Sequence, residues 1–127
     1  MGGQVELRLE PLSGRFDVHD DRWLDQVSGL VDELRAEVGD VATRRTPEPG
    51  TKGGIDALLI PVVSAGGLTA VVELVRSWLT RDRTRSLKVS WSDRGAVDSI
   101  ELSGSEVDSA RFDDLLRLVT QNLAAGQ

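Results

Sequence analysis

From Ala57 to Val72 the chain runs for sixteen residues without a charged side chain, bracketed by Asp56 and Glu73. A run this apolar has to be taken out of water somewhere. A membrane-spanning helix needs about twenty such residues, and this one is interrupted by Pro61, Gly66 and Gly67, so a membrane span is rejected. The spacing predicts a buried hairpin of two helices. Its first arm, about 55–64, is apolar all round, and a buried strand is the alternative that periodicity alone does not separate. The second arm is amphipathic: Leu68, Val71, Val72, Val75, Trp78 and Leu79 share one face, and Thr69, Glu73, Arg76, Ser77 and Thr80 the other. Gly66 and Gly67 open it and permit a tight approach or a positive φ. Glu73 and Arg76 are spaced for a pair worth roughly 0.2–0.5 kcal/mol.

The rest of the chain alternates more plainly. Val5, Leu7 and Leu9 interleave with Glu6, Arg8 and Glu10, the period of a strand with one face buried. Pro11 ends that strand. Trp23, Val27, Leu30 and Leu34, widened by Leu24, Val31 and Val38, predict a helix capped by Asp20 or Asp21 and stopped at Gly39. Val41–Thr46 reads as a second strand, and strand–helix–strand predicts a right-handed parallel unit. Residues 46–54, with two prolines and three glycines, form a loop. Leu87, Val89 and Trp91 alternate with Lys88, Ser90 and Ser92, and a turn at Asp93-Arg94-Gly95 leads to Ile100 and Leu102, a β-hairpin. Phe112, Leu115, Leu116, Val119 and Leu123 predict a closing helix capped at Asp108 or Ser109. The expectation is a single α+β domain over residues 1–127 in the order β-α-β-α-α-β-β-α, with one mixed sheet of about four strands packed against helices.

Composition narrows the chemistry. The 127 residues contain no cysteine and one histidine, His19. Disulfides, thiolate metal sites and thiol nucleophiles are therefore excluded, and no Gly-x-Ser-x-Gly elbow supplies a serine nucleophile. His19 beside Asp17, Asp20 and Asp21 reads as an exposed loop histidine, with the acids at the positive end of a helix. Gly50-Thr51-Lys52-Gly53-Gly54 lacks the Gly-Lys-Ser/Thr order of a phosphate loop. No catalytic, cofactor-binding or metal-binding residue is expected. The first residues lack the basic start and apolar run of a signal peptide, which predicts a cytoplasmic protein.

The chain carries a net charge of −6, from 21 acidic and 15 basic side chains. The acid collects toward both ends. The densest basic group is Arg76, Arg81, Arg83, Arg85 and Lys88. It reads as a charged helix end, and functionally as a contact for nucleic acid, anionic lipid or an acidic partner, of which a partner protein is favoured over nucleic acid. The chain is acidic overall and Trp78 and Trp91 fit buried faces, so nucleic acid is not expected.

In sum these features resemble the effector-associated constant component family of actinobacterial conflict systems. The matching pieces are Val5-Glu6-Leu7-Arg8-Leu9, Trp23-Leu24, the Pro/Gly loop, Ser64-Ala65-Gly66-Gly67-Leu68, Trp78-Leu79 leading into Arg81 and Arg83, and Asp93-Arg94-Gly95. They span residue 4 to about 103, with Pro61 and Asp82 departing from the pattern. The resemblance implies a non-enzymatic adaptor or signal-coupling component. Its partner would be a peptidase-like or nucleotide-dependent effector encoded nearby, with a homo-oligomer as a further possibility. The alternative is a small-molecule-binding regulatory domain that uses residues 47–54 as a lid.

Overall fold

A computed structural model describes residues 5–16, 20–46, 54–93, 96–105 and 109–125. Its elements are β1 (Val5–Ser13), α1 (Asp21–Val38), β2 (Ala42–Thr46), β3 (Gly54–Val62), α2 (Ala65–Thr80), β4 (Arg85–Asp93), β5 (Ala96–Ser103) and α3 (Ser109–Ala125). The five strands form one sheet in the order β2-β3-β1-β4-β5, with every neighbouring pair antiparallel. The α+β class stands as expected. The sheet has one strand more than expected and is antiparallel rather than mixed. The element order is β-α-β-β-α-β-β-α.

The correction lies in the uncharged stretch. Its first arm is β3, the strand alternative, and not a helix. Leu58, Ile60 and Val62 are buried beneath the helices, while Leu59 and Pro61 alternate with them and are half-buried. A helix here would carry Pro61 in its interior, where it removes a hydrogen bond and clashes with the preceding turn. As a strand, β3 lies between β2 and β1, which pair its backbone on both sides.

The interleaving of strands also revises the parallel unit. β1 and β2 point the same way, but β3 separates them and is antiparallel to both. In the same manner β1 separates β3 from β4. Two crossovers, through α1 and α2, thus interlock as the split β-α-β arrangement of ferredoxin-like folds, and β5 and α3 extend it at one side.

Two prolines sit inside strands. Pro11 does not end β1; it pairs with Leu87 of β4 beyond the last β1–β3 partner, Leu9. Pro61 pairs with Glu6 beyond the end of the β2 pairing. Each therefore stands where its strand has one neighbour, the position in which a missing N–H leaves no ladder bond unmade.

The helices bury the stripes their sequences carry. Trp23, Val27, Leu30, Val31 and Leu34 of α1 are buried, as are Leu68, Val71, Val72, Val75, Trp78 and Leu79 of α2 and Phe112, Leu115 and Val119 of α3. Leu123 of α3 has no described side chain, and Asp108 lies outside the described residues. α2 packs between α1 and α3, and the rings of Trp23 and Trp78 meet at 5.7 Å with a 48° tilt. Asp20 caps α1, accepting from the Arg22 N–H at 2.9 Å, and Gly39 ends it at φ 86°. At α2 the cap is Ser64, whose Oγ accepts from the Gly67 N–H at 3.1 Å. Gly66 and Gly67 fall inside the first turn without a positive φ. Arg76 lies over the Phe112 ring at 5.6 Å instead of pairing with Glu73.

Candidate functional site

The predicted basic group separates in space. Arg76 rests on α3 through Phe112. Arg81, just past α2, reaches Glu33 of α1 at 3.2 Å in an exposed pair. Arg83 is exposed in the α2–β4 turn. Lys88 is exposed on the sheet, opposite Glu10 of β1 and Glu101 of β5.

Arg85 differs from the others because it is committed inside the molecule. Its Nε and Nη2 donate to Gln26 Oε1 at 3.1 and 2.8 Å, and Nη1 donates to the Trp78 carbonyl at 2.7 Å. The guanidinium stacks on Trp78 at 4.4 Å. Burial pushes its pKa down, partly offset by Asp82. Asp82 accepts from the Thr84 hydroxyl at 2.7 Å and from the Thr84 N–H at 2.9 Å, and these bonds hold its carboxyl below the usual range. This turn meets Gly104 at close quarters: a Cβ there would lie 2.5 Å from the Asp82 carbonyl oxygen. Arg85 thus joins α1, α2 and β4.

The second feature is the sheet face turned away from the helices. Strand alternation places Glu6, Arg8, Glu10 and Leu12 of β1 on it, beside Leu59 and Pro61 of β3 and Ser86, Lys88, Ser90 and Ser92 of β4. Arg44 of β2 pairs with Ala57 and shares this face. Arg8 Nε donates to Glu10 Oε1 at 2.9 Å. At the Val5 end the face sinks into a hollow of about 410 Å³, lined among others by Glu6, Arg8, Arg44, Leu59, Ser90 and Val97. Ser90 is buried to 7% exposure and Val97 is 72% exposed. The outer edge of β5 is closed in part by α3, where Arg111 Nη1 donates to the Glu101 carbonyl at 3.0 Å.

The sequence reading missed this hollow. The alternation of Lys88, Ser90 and Ser92 marked one outward row, but nothing local says that Arg8 and Arg44 share its face. His19, Asp17, Lys52 and most of the predicted 46–54 loop lie outside the described residues. Among the described residues, no group of three or more His, Asp or Glu side chains is placed to hold a metal ion. No helix there is long and apolar enough to cross a membrane.

Among the described residues, fold and surface define a helix-backed antiparallel α+β protein with one sheet face not covered by helices. The chain belongs to the Effector Associated Constant Component 1 family, whose sequence model matches residues 20–123. The match begins at the cap of α1 and takes in α3, while β1, a central strand of the sheet, precedes it. No curated protein and no solved structure matches the chain.

Proposed function

We propose that this chain is a non-enzymatic adaptor or signal-coupling component of an actinobacterial conflict system. It acts as one domain in the cytoplasm, by contact with an effector encoded nearby that is peptidase-like or nucleotide-dependent. The observation that carries this reading is membership of a family described as an effector-associated component. A sheet face left open by the chain's own helices supplies room for such a contact. Arg76, Arg81, Arg83 and Lys88, with Arg85 holding their scaffold, are the basic side chains offered to a partner. Neither nucleic acid nor a membrane is a partner in this reading.

Co-purification of the tagged chain with the product of the neighbouring effector gene tests it. A stable complex is the expected outcome. A chain that stays monomeric by light scattering and retains no neighbour overturns the reading, whereas a dimer adds self-association to it.

One observation favours the small-molecule alternative: the hollow has the volume of a ligand pocket, which typically runs about 300–1,000 Å³. A thermal-shift screen against nucleotides and metabolites separates the two. A rise of several degrees with one ligand class selects the regulatory domain.

A further inference from the structure

The hollow holds unused polar capacity. Ser90 is the one buried polar residue among the described positions, at 7% exposure; it lines the hollow, and its hydroxyl makes no hydrogen bond among the described residues. Arg44 lines the same hollow, is exposed, and makes no ion pair or hydrogen bond among the described residues, in a chain with 21 acidic side chains. Arg8 has given its Nε to Glu10, and its terminal nitrogens carry no hydrogen bond among the described residues. Among the described residues of the lining Glu6 is the one carboxylate, against two guanidinium groups. Leu59 and Val97 supply apolar surface on either side.

We propose that this hollow receives an acidic side chain from a partner protein, its carboxylate held by Arg8, Arg44 and the Ser90 hydroxyl. Guanidinium forks match a carboxylate in geometry and charge, and the serine adds a neutral donor. Two guanidinium groups against one described carboxylate make the hollow locally basic in a chain of net charge −6, which favours an acidic side chain there. The occupant is a protruding side chain and not a whole small molecule. The hollow is a depression in an open sheet face, and Val97 beside it offers contact to apolar residues flanking the acid. A small ligand is ordinarily enclosed over most of its surface.

This inference rests on the protein-contact reading, and its test separates the two. The affinity of the chain for the neighbouring effector is measured by calorimetry for wild type, Arg44→Glu, Arg44→Lys and Ser90→Val. Each variant must first melt within about 4 °C of wild type, as expected for changes on an open face. Arg44→Glu and Ser90→Val are expected to weaken binding by about tenfold or more, with Arg44→Lys closer to wild type, and added salt weakens the wild-type complex. Unchanged affinity in Arg44→Glu and Ser90→Val overturns the hollow as the docking point and leaves the adaptor reading standing. Failure of the wild-type chain to bind the effector overturns both. A melting-temperature rise with free glutamate or inorganic phosphate, lost in Arg44→Glu while effector binding persists, makes the hollow a small-anion site and also overturns the proposal.

Discussion

The two faces of the sheet are built from the same strands and follow opposite rules. On β1, Leu7 and Leu9 are sealed beneath the helices, while Glu6 and Arg8, one position away, are exposed. On the covered face, burial of large side chains fixes each position, and little can change without loss of the fold. On the open face, charges and hydroxyls alternate and exposed Leu12 and Val97 are tolerated. The covered face holds the molecule together, and the open face is free to carry specificity.

The largest test of that contrast is Trp78→Ala. The side chain is buried against Trp23, carries Arg85 on its ring, and donates through Nε1 to the Gln26 carbonyl at 3.3 Å. Its removal is expected to cost about 3–5 kcal/mol in denaturant unfolding. Gly104→Ala comes next. The new Cβ meets backbone oxygens of Asp82 at 2.5 Å and Leu79 at 2.7 Å, so the α2–β4 turn has to shift. About 1–3 kcal/mol is expected, read by the same unfolding curve.

Arg85→Lys sharpens the comparison at the boundary between the faces. Lysine keeps the charge and loses both the fork on Gln26 and the stack on Trp78, at a cost of about 1–2 kcal/mol. If stability is unchanged and only partner binding falls, Arg85 belongs with the contact surface and the contrast breaks there.

Asp82→Asn gives a smaller, pH-dependent effect. Hydrogen bonds from Thr84 depress the folded pKa below the ordinary 3.8, so the carboxylate stabilises the fold above that value. This contribution is lost as the pH falls through the depressed folded value. Wild type is therefore expected to melt slightly above the variant at pH 7, and the two curves converge below about pH 3.8. The smallest effect belongs to Val97→Lys, on the open face, within about 0.5 kcal/mol by thermal melting.

The legible parts of the fold were those written in local periodicity. The Trp23–Leu34 stripe, the Leu68–Leu79 stripe and the alternation of β1 and β4 each put the right residues inside. The first arm of the uncharged stretch was ambiguous because an all-apolar segment has no period that separates helix from strand. Pro11 misled because a proline is tolerated in a strand where no second neighbour needs its N–H. Of the candidate site, the basic residues were visible but their fates were not. Arg81 and Arg85, four positions apart, point to Glu33 in one case and to Gln26 and Trp78 in the other.

The sequence by itself determined which side of each element is buried, because period-two and period-3.6 patterns are properties of neighbouring residues. It also determined the family, and the absence of cysteine chemistry. Only the tertiary structure decided the strand order, the insertion of β3 between β1 and β2, and the hollow that unites Arg8, Arg44 and Ser90 from three separate strands. Strand pairing depends on contacts between residues far apart in the chain, and no local pattern encodes which strand lies next to which.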